Sequence, residues 1–350
     1  MSSQQSSSHA SRAQAPDVLP WRLIVVGASL GGVSALSELV ADLPANFAAP
    51  ILVVLHTGSH TSLLPEILRS KGVLPAAHAV DGETLAPGRI YIARPDRHLE
   101  AEEGKLRVTF GPKEHHTRPA IDPLFMSAAL AYGRAVIGVI LTGTLEDGTA
   151  GLQAIKARGG IAIVQNPADA LAPEMPESAM RYVAVDHSVA LAGMGKLLTD
   201  LARAPISPEP AVPAPAWIFH EMQLHRGEGK AMEHLEAIGH PSAFVCPDCK
   251  GGLWEIDGTQ PVRYRCHTGH AFTLSTLQRA LTETMDEALW TALRALQEQT
   301  VLLALLAIAH RKSGAIKEAM QLDMVRERID VQRSQLSTLV KHPPGVSAAA

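Results

Sequence analysis

Four segments of this sequence carry residue types that could make or hold a reactive group. The first is Gly27-Ala28-Ser29-Leu30-Gly31-Gly32, directly after an apolar run and directly before an amphipathic one. A strand turning sharply into a helix there puts Ser29 at the carboxyl end of the strand, the edge where open α/β sheets bind ligands. The following helix offers N–H groups without intrahelical partners, which can stabilise an oxyanion. Ser29 therefore reads as a nucleophile, with helix capping as the other role open to it. A dinucleotide fingerprint fits less well. It needs G-x-G-x-x-G, but Ser29 stands where the second glycine belongs, and the next strand ends in Leu55-His56 with no acidic residue to meet a ribose.

A serine hydroxyl is a weak nucleophile unless a base takes its proton and a third group orients that base. His56 closes the apolar run Ile51–Leu55 and so belongs to the same sheet edge, with His60 as the alternative base. Asp147 lies in Leu141-Thr142-Gly143-Thr144-Leu145-Glu146-Asp147-Gly148, again between an apolar strand and a helix. Capping that helix is the simpler role for Asp147, and Glu146 is the adjacent competitor for orienting the base. The fourth segment is Cys246-Pro247-Asp248-Cys249, followed by Cys266-His267-Thr268-Gly269-His270. A CxxC turn aims two thiolates at one ion and a second turn completes a tetrahedron, the closed geometry of structural zinc. Cys246, Cys249, Cys266 and His270 are the expected ligands, with His267 as the alternative to His270. Because protein would fill all four positions, such a metal stabilises and does not catalyse.

The elements that must position these groups follow from hydrophobic periodicity. Strands are expected at Leu23–Val26, Ile51–Leu55, Ile90–Ala93, Ala135–Leu141 and Ile161–Val164. Helices are expected at Gly31–Leu43, Ser62–Leu68, Asp122–Tyr132 and Asp147–Arg158, with a polar hairpin over Leu99–Phe110. Alternation of this kind specifies an α/β fold, a doubly wound, mostly parallel sheet with helices on both faces. The expected domain plan is a flexible leader over 1–20, a catalytic domain over 21–203 and a Pro/Ala-rich linker over 204–216. A zinc-ribbon-like β module over 217–272, a helical hairpin over 273–340 and a flexible tail over 341–350 complete it.

Composition sets outer limits. The chain has 350 residues, 46% of them hydrophobic, which is enough for at least one sizeable core. With 31 Lys plus Arg against 35 Asp plus Glu its net charge is -4, which argues against a protein that coats nucleic acid. The longest apolar run, Val301–Ala309, is shorter than the roughly 18 residues of a membrane span. The leader lacks the apolar core of a secretion signal, so the expected location is cytoplasmic. The 3 cysteines are an odd number clustered in one place, which suits a metal and not a disulfide framework.

From about Leu23 to Leu191 the chain resembles the chemotaxis protein-glutamate methylesterases, the CheB family. The resemblance rests on Gly27-Ala-Ser-Leu-Gly-Gly32, the strand ending in His56, Pro87-Gly-Arg-Ile-Tyr-Ile-Ala93 and Arg118-Pro-Ala-Ile-Asp-Pro-Leu-Phe125. Val139-Ile-Leu-Thr-Gly143 with Asp147-Gly148, and Gln165-Asn166 with Met175-Pro176, continue it. The resemblance implies that Ser29 attacks, His56 acts as general base and then acid, and Asp147 orients the imidazole. It implies hydrolysis of glutamyl γ-methyl esters on the cytoplasmic helices of chemoreceptors, extending to deamidation of glutamines, with no catalytic cofactor. The order Ser, His, Asp differs from the Ser, Asp, His order of α/β-hydrolases.

Three features depart from the family pattern. The residues before Trp21 leave no room for a receiver domain, so control must come by another route, a separate response regulator among them. Leu30 stands where the family has Thr, and Gly143-Thr144-Leu145 stands where it has Gly-Met-Gly. These departures motivate a rival expectation, a chemosensory adaptor that binds receptor or response regulator without turnover. Asp122, beside Arg118-Pro119, reads as a helix N-cap, with a place at the rim of the site as the second reading. The region 241–273 resembles zinc-ribbon tails of some methylesterase-like proteins without receivers. The helices beyond it could lie on a receptor bundle, form a homodimer or cover Ser29.

Overall fold

The computed structural model describes residues 21–57, 60–209 and 212–341. The expected leader, and the tail apart from Lys341, lie outside the described residues. The described chain divides into two units, one ending at Ile238 and one beginning at Gly239.

In the first unit, β1 (Leu23–Ala28) is the central strand. It pairs in parallel with β2 (Ile51–Leu55) on one side and β7 (Val136–Ile140) on the other. The sheet extends through β4 (Ile90–Ile92) to β3 (Ala76–His78) at one edge. At the other it extends through β8 (Ile161–Gln165) to β9 (His187–Val189), giving seven parallel strands in the order β3-β4-β2-β1-β7-β8-β9. Strands buried on both faces need apolar residues throughout, and β1, β2 and β7 are buried at every position. The two edge strands were not legible in the sequence because each has three residues and a histidine in place of an apolar run.

Successive β1 residues feed opposite faces of the sheet. Ile24, Val26 and Ala28 face α1 (Gly32–Ala41), α2 (Leu64–Lys71) and α6 (Leu191–Arg203). Leu23 and Val25 share the other core with α3 (Ile121–Tyr132), α4 (Thr149–Ala157), α5 (Glu174–Tyr182) and the hairpin β5 (His98–Glu102) and β6 (Lys105–Thr109). Leu36 and Leu39 of α1 are almost wholly buried, each contributing roughly 1.5–3 kcal/mol relative to exposure.

The expected boundary between the domains is corrected. The segment 204–216 does not release the chain from the first unit. Arg22 holds it by donating to the carbonyls of Ala204 and Pro205, and Arg158 donates to that of Val212. Helix α7 (Ala216–Arg226), assigned above to the zinc module, then buries Ile218 and Met222 in the core of the first unit. Its Pro/Ala-rich approach suggested a spacer, but the apolar side chains of α7 find a hydrophobic surface here. Helix α8 (Ala231–Ile238) closes the unit.

The second unit opens with an antiparallel sheet of β10 (Gly239–Val245), β11 (Gly252–Ile256), β12 (Arg263–Cys266) and β13 (Ala271–Thr273). Two long helices follow, α9 (Leu274–Lys312) and α10 (Ile316–Lys341), packed as the expected hairpin with the break at Ser313-Gly314-Ala315. Part of α9 is long and apolar enough, by length and composition alone, to cross a membrane. Polar residues interrupt its apolar runs, the longest of which is Val301–Ala309.

Candidate active site

Ser29 follows β1, and its N–H donates to Thr142 O at 3.0 Å, which ties the turn to the segment after β7. Thr142 reinforces the tie by donating through Oγ1 to Leu30 O at 2.9 Å and accepting from Ala172 N at 2.8 Å. Helix α1 begins at Gly32, and its N-cap is Gly31 in the left-handed region at φ 81, with no side-chain cap. Ser29 is therefore not a helix cap, and its hydroxyl is free for another partner. Gly143 leaves room for it: a Cβ at Gly143 would lie 2.8 Å from Ser29 Cβ and 2.1 Å from Met175 Sδ.

His56 continues the β1–β2 ladder, its N–H donating to Ala28 O at 3.2 Å, so its side chain comes out beside Ser29. Nδ1 lies 3.1 Å from Ser29 Oγ, and Nε2 lies 2.8 Å from Asp147 Oδ2. A carboxylate can only accept, so Nε2 carries the hydrogen and Nδ1 presents its lone pair to the serine hydroxyl. The structure thus brings together the three side chains singled out in the sequence. His60 is exposed and outside this line, and His56 pairs with Asp147, not Glu146.

Asp147 does not cap α4, whose N-cap is Gly148. Its carboxylate instead receives the first N–H groups of α3, from Ile121 at 2.7 Å and from Asp122 at 3.0 Å. Asp122 is likewise no cap for its own helix, because the N-cap of α3 is Ala120. It lies buried behind Asp147, accepting Gly151 N–H at 2.6 Å and the His115 Nε2 proton at 2.9 Å. Both cap readings fail for one reason: each carboxylate serves the neighbouring helix. Burial alone would raise the Asp147 pKa. The His56 hydrogen bond, the His115 and His56 imidazoles and the Ile121 N–H together hold it below the usual carboxylate value.

His115, for which the sequence offered no signal, is the buried cation of this cluster. Burial opposes its charge, but the Asp122 hydrogen bond and the charges of Asp147, Asp122 and Glu114 outweigh it and lift the imidazole to about 9. His115, Asp122 and Asp147 stand close enough to surround an ion. Here the imidazolium already supplies the positive charge and peptide N–H groups occupy the carboxylate lone pairs.

In front of these residues is an open cleft of about 660 Å³ lined by Ser29, Leu30, Gly31, Val33, Leu55 and His56. The start of α1 forms one wall, where Gly32 N–H donates to Ser29 O at 2.8 Å. Leu30 and Val33 in the cleft lining are exposed, as is Leu171, which packs against Gly31.

With this geometry in view, the comparisons with known proteins converge. The model of the family described as CheB methylesterase matches residues 24–198, half of the chain. The chain belongs to the CheB methylesterase family. A relative from Leptospira interrogans, provisionally given the double name protein-glutamate methylesterase/protein-glutamine glutaminase, is 36% identical over 183 residues, 52% of this chain and 95% of its own length. Protein-glutamate methylesterase/protein-glutamine glutaminase 2 of Anaeromyxobacter dehalogenans is 38% identical over 182 residues, and this chain spans about half (53%) of its length. The crystal structure of the CheB methylesterase catalytic domain from Thermotoga maritima superposes with a TM-score of 0.50 at 34% identity, covering 98% of that domain and 51% of this chain. Helices α7 to α10 and the four-stranded sheet lie beyond the stretch that the CheB family model matches.

In the second unit, ligand-type atoms of Cys246, Cys249, Cys266 and His270 lie within 4.8 Å of one another. Cys249 Sγ is 3.6 Å from Cys266 Sγ, and Cys266 Sγ is 3.5 Å from His270 Nδ1. Tetrahedral zinc with ordinary bond lengths needs edges of roughly 3.8 and 3.6 Å for these pairs, so the donor set fits the ion. His270 Nε2 sits 4.0 Å from Asp248 Oδ2, placing a carboxylate behind the histidine as metal-bound imidazoles commonly have. His267 is exposed above Gly251, outside the quartet.

Proposed function

We propose that this protein is a cytoplasmic serine hydrolase that removes methyl groups from glutamyl γ-methyl esters on the cytoplasmic helices of chemoreceptors, and that it deamidates glutamines at such positions. The observation that carries the reading is the hydrogen-bonded line Ser29–His56–Asp147 opening onto a cleft at the carboxyl edge of the sheet. In the mechanism, Ser29 Oγ attacks the ester carbon and its proton passes to His56 Nδ1. Backbone N–H groups at the start of α1 stabilise the oxyanion. The N–H of Ser29 itself is engaged by Thr142 O and takes no part. Collapse of the tetrahedral intermediate breaks the C–O bond, and His56 returns the proton to the departing methanol. Water, deprotonated by His56, then attacks the glutamyl-serine ester and releases glutamate and Ser29. Asp147 holds the tautomer throughout and balances the imidazolium formed in each half-reaction. Exposed Leu30, Val33 and Leu171 around the cleft suit the apolar side chains of a substrate helix.

Methanol release from methylated receptor tests the reading. Ser29→Ala and His56→Ala should each lower it by several orders of magnitude, and a fluorophosphonate should label Ser29 in the wild-type chain alone. Undiminished turnover in Ser29→Ala rejects the mechanism. Receptor binding without labelling supports an adaptor instead. Cys246, Cys249, Cys266 and His270 are proposed to hold a structural zinc, which supplies the cross-link that a small β module cannot obtain from its own core.

A further inference from the structure

A second buried charge cluster lies in the first unit, and its central residue comes from outside the stretch matched by the family model. Helix α7 begins at Ala216, after a Pro at its N-cap, and ends at Gly227 in the left-handed region. Its last turn drives His225 into the interior, with none of the residue exposed. There His225 Nδ1 meets Glu114 Oε1 at 2.7 Å and Nε2 lies 3.5 Å from Glu100 Oε1. Arg226 completes the array at 2.8 Å from Glu100 Oε2. Burial opposes the charge on His225, but the two glutamates raise its pKa, while His225 and Arg226 outweigh burial at Glu100 and hold it at about 2. The array is thus two carboxylates bridged by an imidazolium, and α7 cannot leave without stranding buried charges.

Glu114 is the residue before His115. The loop that bears both is stiff: Glu114 and Thr117 exchange backbone hydrogen bonds at 3.2 and 3.0 Å, and Arg118 Nη1 donates to Gly111 O at 2.6 Å. His115 Nε2, in turn, lies 2.9 Å from Asp122 Oδ2 and 3.7 Å from Asp147 Oδ1. A continuous line of buried contacts therefore runs from α7 to the carboxylate that pairs with His56. Charged and titratable groups facing His115 include Asp122 from α3, Asp147 from the segment after β7 and Glu114 from its own loop, with His225 beyond Glu114 and His56 beyond Asp147.

We propose that α7 braces the active site: His225 fixes Glu114, and the adjoining His115 is thereby held as a positioning residue for Asp147. The inference rests on the hydrolase reading above and adds to it a dependence on chain beyond the family-matched half. Without the brace the loop can shift, and a misplacement of the orienting carboxylate lowers turnover without touching substrate contacts.

The test is ester hydrolysis by the full chain, expressed per Ser29 titrated with fluorophosphonate. A residue that only supports folding lowers the number of titrated sites, whereas a positioning residue lowers kcat per site. His225→Gln should reduce kcat per site about tenfold with KM within about twofold. His115→Asn should move the acid limb of the kcat/KM profile to higher pH. Removing the cation leaves Asp122 and Asp147 sharing a dry pocket, where one proton is retained longer. Should His225→Gln fold poorly, the double variant His225→Gln with Glu114→Gln removes the stranded carboxylate. It too should lose at least about threefold in kcat per site. Wild-type turnover with unchanged kcat per site in a folded His225 variant, or a His115→Asn profile parallel to wild type, overturns the brace alone. A wild-type chain that neither turns over ester nor takes label at Ser29 overturns the hydrolase reading and the brace with it.

Discussion

Asp122 and Asp147 cap each other's helices. Asp147 accepts the first N–H groups of α3, while Asp122, itself in the first turn of α3, accepts Gly151 N–H from the first turn of α4. Each helix N-terminus carries partial positive charge, so α3 stabilises the Asp147 carboxylate and α4 that of Asp122. The exchange draws α3 and α4 so close that a Cβ on Gly151 would lie 2.4 Å from Phe125 Cβ.

The two carboxylates should separate by substitution. Asp147→Asn keeps the shape but presents an amide N–H where His56 needs an acceptor, so kcat should fall by about 10⁴. Asp122→Asn removes the partner of a buried imidazolium and should cost the catalytic unit about 3 kcal/mol, read from its denaturant midpoint, with a far smaller loss of kcat. Equal losses of kcat in the two variants contradict this division of labour.

Stability should peak near neutral pH, because two histidines act in opposite directions. His115 has a raised pKa in the fold, so its contribution is complete below about pH 6.5 and is lost as pH climbs through about 9. That loss is on the order of 3 kcal/mol. Burial, then the charge on His225, hold His98 at about 3, so its neutral form favours the fold above pH 6.5 and that support fades as pH falls toward 3. Thermal midpoints between pH 4 and 10 report both limbs. His115→Asn should flatten the alkaline one, and an unchanged alkaline decline refutes the assignment.

Leu145 stands where the family pattern has glycine, and its φ of 67 gives the reason for that pattern. The backbone there is held by Glu174, whose Oε2 accepts Leu145 N–H at 2.8 Å. Leu145→Gly should raise stability by about 1 kcal/mol, since a side chain in the left-handed region is strained and glycine is not. A lower melting temperature in this variant shows that packing of the leucine outweighs the strain.

The purified chain should carry about one zinc. Chelation should open residues 239–273 to proteolysis while Ser29 remains reactive toward fluorophosphonate, because the proposed ligands and the triad belong to different units. Metal-free protein whose β module resists proteolysis removes the zinc assignment.

Ser29, His56 and Asp147 were legible because a parallel sheet delivers the carboxyl end of every strand to one edge, so local apolar runs are enough to find them. The same logic failed at Asp122 and at the first residues of α4, where chain order suggested capping within one helix and packing joined two. Leu145 was visible only as a departure from a pattern; its strain needed a backbone angle.

What the sequence determined by itself is therefore the local chemistry: the buried strands, the turn that presents Ser29 and the spacing that gathers Cys246, Cys249, Cys266 and His270. Only the tertiary structure brought His115 Nε2 within 3.7 Å of Asp147 Oδ1, and His225 of α7 within 2.7 Å of Glu114 Oε1. Periodicity is written within a dozen residues, whereas a buried ion pair between positions 111 residues apart exists only after two surfaces have excluded water around it.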